Sequence, residues 1–295
     1  MPRSTPNAES EPKRAPRTLV SLALASHPGP TIAVTTVAVV LGVGVGMDAA
    51  RLVLLGVAFL CNQVSVGLSN DWLDAPRDRV VGRGDKPVAL GWISAATVRT
   101  ASFCFAGAAV AFTVPLGVAA TLVHVVFIAS AWGYNLGLKS TPLSVLPYAL
   151  SFALLPLVVT LSLPEPKPAA WWAMGMGAML GVAAHFTNVI PDLGDDRRTG
   201  VRGLPHVLGR VWGGVVTFLA LVAAAVLAVV GTAPTATGRV NGVQWIGFGA
   251  TLVIAALGIV LIMTRRPTRL LFRLIIAAAL IDVVVLAWLG ERLIG

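Results

Sequence analysis

The sequence predicts an all-α integral membrane protein, a bundle of nine transmembrane helices built from a parallel four-helix repeat plus a ninth helix. Three observations support this fold class. Of the 295 residues, 56% are hydrophobic and only 12% are charged, about half the charged fraction of soluble domains. Apolar segments of roughly 20 residues, enough to cross a lipid bilayer, recur along the chain. Two stretches 118 residues apart also share a pattern of Asn, Asp, Arg and Gly.

The apolar segments are separated by charged residues, Pro or Gly, which gives the helices their expected limits. The first repeat, about 24–134, and the second, about 142–263, each hold four helices. The ninth helix follows at about 269–290. The polar residues 1–17 predict a disordered cytoplasmic tail, so residues 18–295 form the membrane domain. The expected helices are 24–46, 49–70, 92–112, 116–134, 142–163, 169–190, 206–231, 242–263 and 269–290.

The net charge of +9 has two interpretations, nucleic-acid binding and the excess of basic residues in cytoplasmic loops of membrane proteins. With nine spans, seventeen of the 22 Lys and Arg residues fall on the side of the N-terminal tail, and four fall on the other. This asymmetry favours the second interpretation. It predicts a cytoplasmic N-terminus, a C-terminus on the opposite side and no nucleic-acid partner.

The internal repeat appears when the chain is shifted by 118 residues, which gives eight identities over 22 aligned positions. A unit of four helices, an even number, leaves both copies in the same orientation. In such a parallel repeat a site is expected where the copies face each other. The matched pairs are Asn70/Asn188, Asp74/Asp192, Asp78/Asp196, Arg79/Arg197, Gly82/Gly200, Pro87/Pro205, Leu90/Leu208 and Gly91/Gly209.

Each copy contains a polar cluster in which Asn, Asp and Asp stand at i, i+4 and i+8, a spacing that predicts one helical stripe. Pro76 leaves Asp78 either at the helix end or in the connection. Aspartates that face each other need a cation, and oxygen ligands without Cys or paired His suit Mg²⁺, which also bridges to phosphates. The alternative is that the aspartates only pair with neighbouring arginines in a solvated loop. The candidate metal ligands are Asn70, Asp71, Asp74, Asp78, Asn188, Asp192, Asp195 and Asp196.

Two matched clusters favour the metal site over the solvated loop. Basic residues beside the clusters can hold the phosphates of a substrate directly. The candidate catalytic residues are Asp71, Asp74, Asp192 and Asp196, and the candidate phosphate-binding residues are Arg77, Arg83, Lys86, Lys139, Arg197 and Arg202.

These motifs resemble a known family. The run Asn70-Asp71-x-x-Asp74-x-x-x-Asp78, followed by Lys86-Pro87 and Gly91, is similar to the first signature of UbiA-type membrane prenyltransferases. The run Asp192-x-x-x-Asp196, with Gly200, Arg202 and Gly209, resembles the second. The resemblance extends from about residue 20 to the C-terminus. Two departures are Lys86-Pro87, where the family usually has Arg-Pro, and the spacing of five between Tyr134 and Lys139, which is closer in many members.

The resemblance implies a helical bundle around a cavity that opens sideways to lipid. It also implies two Mg²⁺ ions, with Mn²⁺ as a substitute, that bridge a polyprenyl diphosphate between the clusters, and prenyl transfer to a lipophilic acceptor such as an aromatic ring. The chemistry agrees, because metal ions and cations stabilise the departing diphosphate and a closed cavity keeps a carbocation from water.

Other functions stay open at this point. Within the same fold, the alternatives are cyclisation of the prenyl chain and phosphoribosyl-type transfer to a polyprenyl phosphate. A transporter is a more distant alternative, since parallel repeats also suit transport. The sequence argues against transport, because its charges cluster at one face and no acidic relay crosses the membrane.

Four further residues carry weaker signals. Gln63 and His185 lie seven and three residues before the two cluster asparagines. Together with Tyr134, they are candidates for the acceptor or prenyl pocket, and ordinary interhelical hydrogen bonding is the alternative. Asp282 is a lone carboxylate inside the ninth helix, with no partner evident from the sequence.

Overall fold

The computed structural model describes residues 18–198, 200–232, 242–264 and 269–295, and within these ranges every regular element is helical. The all-α fold class is therefore confirmed. The nine predicted helices correspond to α2–α7 and α9–α11. The elements are α1 (Thr18–Ala25), α2 (Pro28–Gly44), α3 (Ala49–Val80), α4 (Ala95–Thr113), α5 (Val118–Leu136), α6 (Val145–Leu161), α7 (Trp171–Val189), α8 (Leu193–Arg198), α9 (Leu204–Thr232), α10 (Gly242–Thr264) and α11 (Arg269–Trp288).

The protein is a multi-pass membrane protein. In the described ranges, seven helices are long and apolar enough to cross a bilayer, or eight if the pair α1 and α2, bent by 65°, counts as one span. The number nine, the parallel repeat and the orientation of the termini stay predictions. The predicted tail, residues 1–17, lies outside the described residues.

The helices surround a central space. α3 packs against α2, α4 and α5, and α6 packs against α5 and α7. α7 also packs against α9, α9 against α10, and α10 against α11. α11 in turn packs against α2. The largest buried cluster includes Leu41, Phe59, Leu155, Phe218 and Leu286. Since these side chains come from five helices, the core holds the bundle together as one unit.

Two glycines on α7 let α6 approach closely. A Cβ on Gly177 would lie 2.3 Å from the carbonyl oxygen of Phe152, and one on Gly181 would lie 2.4 Å from that of Tyr148. Only glycine permits this contact. The approach matters for the site, because Tyr148 and Phe152 line the central cavity.

The first polar cluster lies entirely within α3. The helix runs to Val80, ten residues beyond the predicted end at residue 70. Pro76 removes one backbone hydrogen bond, yet the helix continues by one turn, and its end is closed by Val81 N–H, which donates to Arg77 O at 3.2 Å. Of the two alternatives for Asp78, the helix end is correct.

The second cluster departs from the predicted single stripe. α7 ends at Val189, a 3₁₀ turn spans Ile190–Asp192, and α8 begins at Leu193. The expectation that Asn188, Asp192 and Asp196 share one regular helical stripe is therefore wrong. Pro191 is the physical reason, because its ring occupies the position where the next α-helical hydrogen bond would form.

Candidate active site

A cavity of about 720 Å³ occupies the space between α2, α3, α5, α6, α7 and α11. This volume is within the usual range for ligand sites. One end of the cavity is polar and lies where α3 and α7 end, and the remainder is lined mainly by aliphatic and aromatic side chains. The polar end includes Asn70, Asp74, Arg77, Arg83, Lys86, Lys139, Asn188, Asp192 and Asp196.

The two polar clusters contact each other through arginines of the first. Arg83 Nη1 lies 3.2 Å from Asp192 Oδ2, and Arg77 Nη1 lies 3.6 Å from Asp196 Oδ1. Arg83 also pairs with Asp85 at 2.9 Å. This hydrogen bond lowers the pKa of Asp85 to about 2. The clusters therefore belong to one end of the bundle and share one charged network.

Asp74 is the most heavily contacted carboxylate of the first cluster. Its Oδ1 accepts a hydrogen bond from Lys139 Nζ, and its Oδ2 accepts from Arg77 Nη2 at 3.2 Å and Asn70 Nδ2 at 2.9 Å. Burial lowers the pKa of Lys139, and the nearby Asp74 opposes that shift. Two elements, α3 and the turn after α5, thus meet at this carboxylate.

Asp71 and Asp78 point away from the cavity. Each is 1% exposed, and neither belongs to the cavity wall. Asp71 Oδ2 accepts from Val88 N–H at 3.1 Å, and Asp78 Oδ1 lies 3.5 Å from Arg77 Nη2. At 3.6 residues per turn, both positions lie roughly 80–100° around α3 from Asn70. The i, i+4, i+8 stripe therefore fails at its third member.

Lys86 is buried in a network of protein groups. Its Nζ donates to Asn70 Oδ1 at 3.0 Å and to His27 Nε2 at 2.9 Å, and it lies 3.7 Å from Asp71 Oδ1. A lysine ammonium only donates, so His27 Nε2 is the acceptor and the ring proton is on Nδ1. Lys86 therefore donates its hydrogen bonds to protein acceptors, although the residue also lines the cavity.

His27 occupies the break between α1 and α2. It has φ 53°, the only positive φ of a non-glycine residue in the described chain. The break lies directly on α3, where a Cβ on Gly67 would be 2.2 Å from Ser26 O. Gly67 therefore allows His27 to reach the polar end of the cavity.

In the second cluster, Asn188 Nδ2 donates to the hydroxyl of Tyr148 at 3.0 Å, and His206 Nε2 lies 3.1 Å from Asp196 Oδ2. Burial raises the pKa of Asp196, against the opposing effects of Arg77 and His206. His206 was missed by the sequence analysis, and its only signal is its place directly after Pro205, a member of the matched pairs. Arg202 is exposed and outside the cavity wall. The side chains of Asp195 and Arg197 lie outside the described part of the chain.

The three predicted pocket residues all line the cavity. The ring of Tyr134 meets those of Tyr148 and His185 edge-on, at centroid distances of 5.1 and 5.7 Å. His185 Nε2 lies 3.1 Å from Ser144 Oγ. The side chain of Gln63 makes no hydrogen bond to any described residue. Tyr148, which the sequence analysis did not single out, completes an aromatic wall beside the aspartates.

The donor set fits a divalent cation that bridges to phosphate. Carboxylates and amides from two sides converge on one cavity end, with oxygen as the donor that Mg²⁺ prefers. Within the described residues, no three His, Cys, Asp or Glu side chains are already placed to hold a metal ion. Mg²⁺ itself usually takes few protein ligands and completes its shell with water and phosphate.

Asp282 lies outside this site. It is 1% exposed, and its Oδ1 accepts a hydrogen bond from Thr251 of α10 at 3.0 Å. The hydrogen-bond partner of Asp282, which the sequence could not reveal, is therefore on a neighbouring helix.

Comparisons with known proteins agree with this fold. A model of the UbiA prenyltransferase family matches residues 18–274. A UbiA homolog from Archaeoglobus fulgidus bound to DMAPP and Mg²⁺ has a TM-score of 0.72 at 15% identity, covering 91% of this chain and 97% of that one. An apo UbiA homolog from Aeropyrum pernix K1 has a TM-score of 0.67 at 18% identity, covering 86% and 95%.

A structure from a study of digeranylgeranylglyceryl phosphate synthase in membranes has a TM-score of 0.61 at 14% identity, covering 93% of this chain and 98% of that one. At such identities these structures establish the fold alone. A comparison with curated protein sequences found no match.

Proposed function

Because the chain belongs to the UbiA prenyltransferase family and is therefore a prenyl-transferring transferase, we propose that it transfers a prenyl group from a polyprenyl diphosphate to a lipophilic acceptor, with Mg²⁺ as cofactor. The observation that carries this proposal is the asymmetry of the cavity. One end holds two facing acidic clusters and several cations, and the rest is apolar. Such a cavity matches a substrate with a charged head and a long apolar tail.

The metal would be held on one side by Asn70 and Asp74, and on the other by Asn188, Asp192 and Asp196. Two ions are expected, with Mn²⁺ as a substitute. A divalent ion supplies charge that neutralises the diphosphate as it departs. The homologous structure from Archaeoglobus fulgidus was obtained with DMAPP and Mg²⁺, which supports the proposal. Asp195 remains a candidate ligand. Asp71 and Asp78, turned from the cavity, would act by holding Lys86 and Arg77.

The cations at the polar end would bind the diphosphate oxygens. Arg77, Arg83 and Lys139 are paired with carboxylates, and they can transfer these contacts to the phosphates when metal neutralises the carboxylates. Charge on the departing diphosphate is then stabilised by groups that are already in place. Arg197 and Arg202 are further candidates. Lys86 would instead orient Asn70.

The apolar part of the cavity would exclude water from the allylic carbocation. The rings of Tyr134, Tyr148 and His185 lie beside the aspartates, where π-faces can stabilise a cation. The amide of Gln63 makes no hydrogen bond to any described residue, which suits a polar group on the acceptor. We place the polar end and the N-terminus on the cytoplasmic side and the C-terminus opposite, from the distribution of basic residues.

The test is incubation of the purified protein in lipid with allylic diphosphates, Mg²⁺ and a membrane lipid extract, followed by mass spectrometry and assay of released diphosphate. The proposal expects a prenylated lipid that appears only with the extract. Release of diphosphate with a cyclised hydrocarbon, formed equally without the extract, would favour the cyclase alternative. No release with any allylic diphosphate would contradict the proposal.

A further inference from the structure

Arg83 and Asp85 form a bidentate ion pair in the loop after α3. Arg83 Nε donates to Asp85 Oδ1 and Arg83 Nη2 donates to Asp85 Oδ2, both at 2.9 Å. A single hydrogen bond would leave the guanidinium free to rotate, whereas two parallel bonds fix its plane. In this plane the third nitrogen, Nη1, lies 3.2 Å from Asp192 Oδ2. Asp85 therefore determines the direction in which Arg83 points.

The guanidinium of Arg83 keeps donors for a ligand in this arrangement. An arginine has five N–H groups, of which Asp85 accepts two and Asp192 accepts one. One N–H on Nη1 and one on Nη2 therefore make no hydrogen bond to any described residue. Arg83 and Asp85 both line the cavity. Arg83 can thus bind a phosphate oxygen without breaking its pair with Asp85.

The two residues of the pair are anchored unequally. Arg83 stands between Gly82 and Gly84, and a Cβ at either glycine would meet no atom within 4 Å. Asp85 directly precedes Lys86, which is 6% exposed and donates hydrogen bonds to α3 and to the break between α1 and α2. The buried lysine therefore fixes the position of Asp85. Asp85 in turn fixes Arg83, whose long side chain otherwise has many rotamers.

Given the proposed function, on which this inference rests, we propose that Asp85 is a positioning residue, which holds Arg83 in the orientation that its remaining N–H groups need to bind the substrate diphosphate. Because the pair orders Arg83 before the substrate arrives, binding does not have to immobilise this side chain. Loss of that order should weaken diphosphate binding by about three- to tenfold.

Simple electrostatics makes the opposite prediction. Asp85 carries a negative charge close to the proposed position of the anionic diphosphate, so its replacement by a neutral residue would by itself strengthen binding. A loss of affinity therefore requires an effect of Asp85 on Arg83 or on a bound metal ion. Loss of folding is not expected, because the side chain of Asp85 is 63% exposed and exposed ion pairs contribute little to stability.

The experiment measures binding of a prenyl S-thiolodiphosphate analogue, in Mg²⁺, to protein in lipid nanodiscs. Asp85→Asn should lower the affinity by about three- to tenfold. Asp85→Glu keeps a carboxylate for Arg83 and should bind within about twofold of the unmodified protein. In an Arg83→Gln background, Asp85→Asn should cause no further loss, because the residue that Asp85 positions has been removed.

Asp48→Asn is the matched control for the loss of a carboxylate that pairs with an arginine. Asp48 lies 3.5 Å from Arg51 at the opposite end of α3. Asp48 is also the N-cap of that helix, and asparagine is an equally good N-cap. Asp48→Asn should therefore bind the analogue as the unmodified protein does.

Unchanged or higher affinity in Asp85→Asn would overturn the inference, as would a loss that Asp85→Glu does not restore. The same loss in the Arg83→Gln background would give Asp85 a role independent of Arg83, such as metal binding, and would also overturn it. An equal loss in Asp48→Asn would do the same. If the unmodified protein bound no analogue in Mg²⁺, the proposed function itself would fail, and the role of Asp85 would fail with it.

Discussion

Arg83 Nη1 lies 3.2 Å from Asp192 Oδ2, although the two residues are 109 positions apart in the chain. Arg83 follows the end of α3, and Asp192 lies in the 3₁₀ turn after α7. The contact joins the first polar cluster to the second at one end of the cavity. It gives the clusters a common electrostatic environment, so a change of charge in one cluster should alter the electrostatic potential at the other.

Replacing Arg83 with Gln should therefore weaken substrate binding. The variant removes a cation from the proposed diphosphate site, and we expect prenyl diphosphate affinity to fall by about tenfold or more, as for the loss of a charge-assisted hydrogen bond. The control is Arg79→Gln at the exposed end of α3, where the side chain donates to Val88 O at 3.3 Å and is outside the cavity. Equal effects of the two substitutions on binding would contradict a specific role for Arg83.

Activity should require Mg²⁺ or Mn²⁺ and disappear in excess chelator. Asp74→Asn should raise the Mg²⁺ concentration needed for half-maximal activity and lower turnover by at least about 10²-fold. Asp71→Asn should also lower activity, but without a shift in that Mg²⁺ concentration, because Asp71 contacts Val88 and Lys86 rather than the cavity. The measurement is the activity of both variants as a function of Mg²⁺ concentration. Unchanged rates in chelator would remove the metal-dependent account.

Gly181→Ala should destabilise the bundle. Its Cβ would lie 2.4 Å from Tyr148 O, which forces α6 away from α7 and should cost about 1–3 kcal/mol as overpacking does. Gly107→Ala in α4 is the control, since nothing lies within 4 Å of its Cβ. Thermal unfolding in detergent is the measurement. A melting temperature for Gly181→Ala equal to that of Gly107→Ala would show that the close helix approach is not required.

Sidedness follows from the distribution of charge. In a background without Cys61 and Cys104, cysteines in place of Arg83 and Arg202 should resist an impermeant thiol reagent applied to intact cells. A cysteine in place of Thr235, which lies outside the described residues, should react. Labelling at Arg83 but not Arg202, or the reverse, would put the clusters on opposite faces and exclude a shared site.

Much of the fold was accessible from the sequence because bilayer helices have a strong compositional signal. The positions of α4, α5 and α10 agree with prediction to within about three residues, since apolar length and flanking polar residues determine where a spanning helix ends. The repeat of Asn and Asp at one offset also singled out Asn70, Asp74 and Asp192, which line the polar end of the cavity.

Other features of the site depend on geometry that the sequence does not encode locally. A spacing of four drifts by about 40° on a real helix, so eight residues carry Asp78 away from the cavity. His206 and Tyr148 line the cavity because of tertiary packing. For Tyr148, this packing depends on Gly181, which lets α6 approach α7. Lys86 donates hydrogen bonds to His27 and Asn70 because the helix breaks between α1 and α2. No periodicity in the sequence predicts this break.

The central claim is that the two clusters form one metal and diphosphate site, and a double-mutant cycle tests it most directly. The measurement is Mg²⁺-dependent binding of a prenyl thiolodiphosphate, with stoichiometry, to the unmodified protein, Asp74→Asn, Asp192→Asn and the double variant. A single shared site predicts that each substitution weakens all binding and that the double variant is little worse than either single one, because the effects of coupled residues are not additive. If each single variant kept half of the binding sites at full affinity, or if the effects were simply additive, the clusters would act independently and the account would be wrong.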